Sequence, residues 1–501
     1  MAEDRPVLII DNGGYTLKAL YIPSPSNSAS QPPRQAVVPN CVGAASFAGR
    51  GIVGEQLFKL PHFHGFMLRR PVDRGFVVDA ALQSHIWEYL LQCFAIADES
   101  EVELVLTVPF AAPTPVVELL HYMVVQRFKF RALTLVSATF LALVADASRD
   151  WLHGTAPDAG HGGDGMGGGC GMVVDFGFSA TTVVPYVDFL PLWDSAVRVD
   201  VGGKLLSNRL KELISFTQVN MTEDGWLVNH IMEKCCHVAL HPRASLQAAQ
   251  RQRRGGTSSS SSSGNSRLGR GSCAAELRYY LPTVPPLMPL GCRGEELHAV
   301  LDGDGAGIER HELQHVVFGH EAFLIPELLF HPVDVGIQQM GVVDAIVRGT
   351  RSRGTLREAS VLHSALLHRV VAFGGTAGFP HLRERLSDEL RMESGTAGRP
   401  APSTSSPLQP LVEGLRTAAQ STVLNGNVSG YSAHDGELQP LYGALALFTC
   451  PARRPQLQML RGRSHVDLST LRKSKHGVGR ASAPMTHKAQ KAFKDAMQRL
   501  P

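Results

Sequence analysis

Three short apolar runs in this chain stop on glycine, and their order constrains the fold more than any other feature. Val7-Leu8-Ile9-Ile10 leads into Asp11-Asn12-Gly13-Gly14. Met172-Val173-Val174 leads into Asp175-Phe176-Gly177-Phe178-Ser179. Val370-Val371-Ala372-Phe373 leads into Gly374-Gly375-Thr376. A buried strand ending on glycine lets backbone N–H groups close on a phosphate with no Cβ in the way. An Asp at the strand end reaches a bound metal through water. One copy is commonly a plain turn. Two such hairpins facing each other, with a glycine pair alongside, form a duplicated clamp that holds one nucleotide between two domains.

A chain of 501 residues buries a large core and is expected to form two lobes. The apolar fraction of 44% fits a soluble globular protein. The net charge of +3 says less than its distribution. Pro451–Pro501 holds twelve Lys/Arg and two acids, and Pro242–Ser272 holds six Arg and no acid. Basic segments on an otherwise acidic body suggest nucleic acid or an acidic partner, against a plain solvated tail. Eight scattered cysteines without a C-x-x-C pair fit a reducing compartment. His62-x-His64 has no second pair nearby and reads as loop. Met1–Pro6 is not a signal peptide, and Ala132–Ala147 is too short for a membrane span. No membrane partner is expected.

Val7–Ile22 alternates as a hairpin, Ala80–Ile96 carries helical spacing, and Val201–Ser215 reads as a helix opened by Gly202-Gly203. A nominal G-x-G-x-x-G at Gly163, Gly165 and Gly168 precedes a strand. A dinucleotide fingerprint must follow one. Arg243–Ser272, with its serine run Ser258–Ser263, is predicted to be disordered. Glu393–Pro407 and Thr422–Asp435 read as further flexible inserts.

From end to end the chain resembles the actins and actin-related proteins. The carriers are DNGGYTLK with Lys18, Val173–Pro185, Val199–Ser215 and the adenosine-loop stretch Ala372–Pro380. Pro326–Val347 and Arg70–Leu91 are similar to a nuclear, non-filament branch of that family. The match is thin beyond about Leu390. The resemblance implies an α/β actin fold: two lobes, each on a ribonuclease-H-like sheet, with a nucleotide cleft between them. The expected division is 1–170 for the first lobe and 171–390 for the second, with the disordered insert 243–272 inside it. A flexible insert, 391–435, and a divergent basic C-terminal segment, 436–501, follow.

The resemblance also implies site residues for ATP or ADP with Mg2+. Asp11 and Asp175 would face the metal. Gly13, Gly14 and Lys18 would meet phosphate, with Gly177 and Thr181 in the matching second turn. Gly203 and Glu233 would line the nucleoside, Glu233 accepting from ribose hydroxyls. Gly374, Gly375, Thr376 and Phe379 would line base and sugar. Phe379 takes the position of an adenine-stacking tyrosine, beside its plain core reading. Two departures matter. Ser137 falls where actin has the water-positioning glutamine, and Phe178 where it has a second Asp. Hydrolysis needs a group that orients water and a carboxylate shell for the metal, so no catalytic residue is expected. Met232 replaces a lysine beside Glu233.

The implied role is an architectural subunit of a nuclear, also cytoplasmic, ATP-dependent chromatin remodeller that exchanges a histone H2A variant. The implied partners are the motor subunit, a small zinc-finger subunit, and nucleosomal DNA and histones through the basic segments. The alternatives are a cytoskeletal filament subunit and an active ATPase or sugar kinase of the same superfold.

Overall fold

A computed structural model describes residues 5–24, 32–45, 51–57, 66–96, 98–148, 169–255, 277–283, 291–297, 313–393 and 435–468. Its frame is one motif used twice. In the first lobe, strand Val7–Asn12 turns back antiparallel into Thr16–Ile22, with Val7 opposite Ile22 and Asp11 opposite Lys18. Its other edge pairs in parallel with Glu103–Thr107. In the second lobe, Gly171–Phe176 turns back into Thr181–Val187, with Asp175 opposite Thr182. Its other edge pairs in parallel with Val370–Phe373. Both leading strands are apolar at almost every position, as strands covered on both faces must be.

The covering layer between the sheets is a pair of helices. Ala138–Ala147 starts at Ser137, whose Oγ accepts from the Phe140 N–H at 3.2 Å. It packs against Asp435–Thr449 from the far end of the chain. Around them one core cluster joins the two lobes, including Ile9 and Val105 of the first sheet and Val173 and Val371 of the second. Arg369 of the second lobe pairs with Asp146 on the first of these helices. Smaller three-stranded sheets extend each lobe: Val42–Ala45 with Ile52–Val53 and Phe66–Arg69, and Leu277–Tyr280 with Cys292–Arg293 and His315–Phe318.

Part of the segment expected as a divergent basic stretch, 436–501, is folded. Asp435–Thr449 and Arg454–Ser464 are helices, and strand His465–Asp467 closes the edge of the first sheet against Ala132–Val136. Strand His465–Asp467 therefore belongs to the first sheet, while helix Asp435–Thr449 is shared between the two. Two tail arginines counted as free cations are structural. Arg453 Nε donates to Ser148 Oγ at 2.7 Å, and Arg461 lies 3.1 Å from Glu103 Oε2. His465 also faces Glu103: burial pushes that carboxyl up, but hydrogen bonding by His465, the Arg461 charge and Thr134 together hold it below its usual range.

The insert expected to be disordered from Arg243 begins instead as a helix, Pro242–Gly255. Its remainder, 256–276, lies outside the described residues. So do His62-x-His64, the three glycines of the rejected fingerprint, residues 394–434 and the basic residues beyond 468. Among the described residues no helix is long and apolar enough to cross a membrane. Among the described residues, Cys41, Cys93, Cys170, Cys235, Cys236, Cys292 and Cys450 are thiols and not disulfide-bonded.

Candidate functional site

The two hairpin turns face one another across a cavity of about 720 Å³. That lies inside the ~300–1,000 Å³ range of small-molecule sites. The glycine pair at Gly374-Gly375 forms a third wall. Of the residues expected from sequence, Asp11, Gly13, Gly14, Lys18, Asp175, Gly177, Gly203, Glu233, Gly374, Gly375, Thr376 and Phe379 all line it.

Thr181 does not. It is buried, and its Oγ1 donates to the Val201 carbonyl at 2.8 Å. Thr182, opposite Asp175 in the register, lines the cavity instead. Side chains alternate along a strand, so a shift of one residue selects the wrong face. Thr376 lines the wall, but its hydroxyl is committed to the Phe176 carbonyl at 2.8 Å. Phe379 is both a cavity-lining and a core residue, only 7% exposed.

The first turn is held from behind by buried amides. Asn40 Nδ2 donates to the Gly13 carbonyl at 2.7 Å, and Gln83 Nε2 donates to Asn40 Oδ1 at 3.0 Å. Thr107 Oγ1 donates to Asp11 Oδ1 at 2.8 Å, which fixes the carboxylate at the strand end. Lys18 Nζ sits 3.6 Å from the other oxygen of Asp11. Antiparallel pairing places the two residues opposite each other on one face, so this ion pair follows from the register. Burial alone would lower the Lys18 pKa. Glu437, then Asp11 and Asp175, outweigh it and raise the value, keeping the ammonium charged.

The two carboxylates repel. Burial, then the Asp11 charge, pushes Asp175 up to about 7. Burial, then Glu437, pushes Glu233 up to about 7 as well, although Asn229 Nδ2 donates to it at 2.6 Å. Like charge at close quarters disfavours ionising Asp11 and Asp175 together. Among the described residues no group of three His, Cys, Asp or Glu is arranged to hold a metal alone. A metal would therefore need phosphate oxygens or water to complete its shell, which fits Asp11 and Asp175 as hydrated contacts to a nucleotide-borne Mg2+.

These raised values carry a pH dependence. Between the ordinary carboxylate range and about pH 7 the folded state keeps protons that the unfolded state has released. Stability contributed by Asp175 and Glu233 is therefore present at low pH and lost as pH rises through 7. Each group changes the slope by at most about 1.4 kcal/mol per pH unit. Urea unfolding of the ligand-free protein from pH 5.5 to 8 is expected to show a shallower decline for Asp175→Asn than for the natural chain. Parallel curves would overturn the assignment.

Phe178, expected only as a lost carboxylate, has a role of its own. Its ring lies 4.9 Å from Tyr15 of the opposite turn, and Tyr15 stacks on Trp226 at 5.3 Å. The Arg70 guanidinium covers both Tyr15, at 4.6 Å, and Phe178, at 5.2 Å. Arg70 also donates to the Tyr15 carbonyl at 3.1 Å. This aromatic and cationic stack ties the two turns together across the cleft. Ser137 is similarly engaged: besides capping its helix, it lies 3.1 Å from the Tyr186 hydroxyl, which also meets Thr139 at 3.0 Å.

Sequence reasoning missed Glu437. It projects into the cavity from helix Asp435–Thr449, 3.4 Å from Lys18 Nζ. Tyr15, Trp226 and Asn229 were missed too; only their helical or turn neighbourhood pointed to them.

Known proteins resemble this chain over most of its length. The family model described as Actin matches residues 2–407. A protein of Oryza sativa subsp. indica described as actin-related protein 6 is 30% identical over 406 residues, covering 78% of this chain and 86% of the relative. An Arabidopsis thaliana protein of the same description is 30% identical over 393 residues, covering 77% and 86%. A Cryptococcus neoformans protein described as actin-like protein ARP6 is 29% identical over 390 residues, covering 77% and 73%.

Proposed function

The chain belongs to the actin family, and on that premise we propose that it is a non-filament, architectural member that holds a nucleotide without turning it over. The observation that carries this reading is the state of the two positions where hydrolysis needs help. Phe178 is stacked on Tyr15 under Arg70, and Ser137 is spent on its helix cap and on Tyr186. Neither presents a carboxylate or amide to a water molecule. The glycine turns, Asp11, Asp175 and Lys18 still line the cavity between them.

In this reading Gly14 offers its backbone N–H to phosphate and Lys18 supplies the positive charge; the Gly13 and Gly177 N–H groups are committed to the Asp11 and Ala180 carbonyls, both at 3.1 Å, so these two glycines serve by keeping the turns free of side chains. Glu233 accepts from the ribose, and Phe379 lies against the base. Mg2+, held through water by Asp11 and Asp175, would neutralise phosphate charge. The bound nucleotide then stiffens the contact between lobes, because a ligand that binds only the folded state stabilises it. With ATP and magnesium, phosphate release is expected to stay at the no-protein background over hours. Turnover at the rate of filament-forming actin, measured alongside, would sink the reading.

The role follows from the branch. The chain would serve in the nucleus, and also pass through the cytoplasm, as a scaffold subunit of a chromatin remodeller that exchanges a histone H2A variant. It would bind the motor subunit and a small zinc-finger subunit, with the motor supplying the ATPase. Mass spectrometry of proteins co-purified with the full chain tests this directly; recovery of cytoskeletal filaments in place of remodeller subunits would reject it. Contact with nucleosomal DNA would rest on basic residues beyond 468, including Arg472, Lys473, Lys475 and Arg480, because Arg453 and Arg461 are bound within the first lobe. Such contact releases counterions and weakens steeply with salt. Deleting residues 469–501 is expected to reduce duplex-DNA affinity and flatten its salt slope, with the melting profile of the truncated chain recorded alongside. Equal affinity and slope would assign the tail to solubility alone.

A further inference from the structure

The cleft already contains an anion of its own. Glu437 lies 421 residues along the chain from Thr16, yet its Oε1 accepts a hydrogen bond from Thr16 Oγ1. The same oxygen is 3.4 Å from Lys18 Nζ. Asp11 holds the other side of that ammonium at 3.6 Å. Glu437 is the largest of the charge effects that raise Lys18, and it is also the charge that raises Glu233 on the nucleoside side. Its carboxylate is thus felt at both ends of the cavity. The side chain is rooted in helix Asp435–Thr449, whose Leu438 and Leu441 are buried in the core between the lobes.

We propose that Glu437 is a specificity-determining residue of the cleft: an internal carboxylate that fills the anion contact of Lys18 and makes each added phosphate charge less welcome. The proposal deepens the nucleotide reading above and rests on it. Lys18 cannot serve an incoming phosphate fully while two carboxylates share its charge, and a triphosphate places negative charge beside Glu437 where water screens it poorly. The natural ligand class is accordingly the less charged adenine nucleosides and nucleotides. A triphosphate is taken well only if Glu437 withdraws, which must disturb the first turn of the C-terminal helix. Occupancy of the cleft by phosphate and docking of that helix then oppose each other, and each weakens the other by the same factor.

The test is calorimetric titration of the full chain with adenosine, AMP, ADP and ATP, each with Mg2+, in the natural protein, Glu437→Gln and Glu437→Ala. Gln keeps the bulk and removes the charge; Ala removes both. ATP affinity is expected to rise at least about tenfold in both variants, equivalent to about 1.4 kcal/mol, with ADP rising less and adenosine staying within about twofold. A gain for ATP in the Ala variant alone would make the obstruction steric and overturn the charge argument. So would equal gains for adenosine and ATP, or no gain for ATP in either variant when any of the four ligands binds. If none of the four ligands binds any of the three proteins, the nucleotide reading itself fails and this inference falls with it. Amide exchange gives a readout independent of affinity. The first turn of helix Asp435–Thr449 should exchange faster with ATP than with adenosine in the natural protein; identical exchange would overturn the coupling.

Discussion

Gly443→Leu is expected to detach the C-terminal helix from the first lobe and abolish cooperative unfolding of the whole chain. Gly443 lies in Asp435–Thr449 where it crosses Ala138–Ala147. A Cβ there would stand 1.8 Å from the Leu141 carbonyl oxygen and 2.5 Å from its carbon. These are backbone atoms, so no side chain can rotate away and the helices must separate. Leu438, Leu441, Ala444 and Leu447 are buried in that contact. Each leucine contributes roughly 2 kcal/mol by its burial, so losing the contact costs on the order of 5 kcal/mol, comparable with the whole stability of a typical domain. Gly443→Ala should cost about 2–4 kcal/mol in urea unfolding, within the range for overpacked cores or slightly above it. A leucine variant with the natural melting profile would show that the helices do not cross as described.

Gly374→Ala should be nearly as damaging, for a different reason. Gly374 has φ 105° and ψ 168°, a region open essentially to glycine alone. An added Cβ would also meet the Phe176 carbonyl oxygen at 2.5 Å and Asp175 Oδ1 at 2.8 Å. Strain of roughly 1–3 kcal/mol adds to that clash, and a loss of about 3–5 kcal/mol is expected, at the upper end for single substitutions. The neighbouring Gly375 is the control. A Cβ there meets nothing within 4 Å, because the position opens onto the cavity. Gly375→Asp should therefore leave the ligand-free melting temperature close to natural while removing any shift produced by ATP. If the two substitutions destabilise the ligand-free chain equally, the distinction between a backbone requirement and a ligand-facing position is wrong.

That contrast also explains what the sequence could reveal. The three glycine turns were readable because a backbone need leaves a fixed residue type behind. Lys18 was readable because strand alternation places it on the Asp11 face. Thr181 was misassigned because the hairpin puts Thr182, not Thr181, opposite Asp175. The contribution of Phe178 depended on Tyr15 and Arg70, whose approach is set by tertiary packing. Glu437 was hidden for a related reason. Its helix follows a long divergent stretch, and nothing local to Asp435–Thr449 says that it lies between two sheets. The same blindness turned Arg453 and Arg461 into tail charges: a count of basic residues cannot separate an arginine facing solvent from one paired with buried Glu103.

The closing strand His465–Asp467 has a consequence for how the protein is made. It supplies the edge neighbour of Ala132–Val136, and the Leu468 N–H donates to the Arg131 carbonyl at 2.9 Å. The second lobe draws its sheet from residues 171–373 alone. On the ribosome, every strand of that sheet is delivered while the first sheet, begun earlier, still has an open edge, and both sheets still lack helix Asp435–Thr449, which packs between them. Synthesis proceeds N-terminus first, but completion runs the other way. Until strand His465–Asp467 emerges, the nascent chain carries a half-finished sheet whose open edge and exposed apolar surface must be shielded from neighbouring chains.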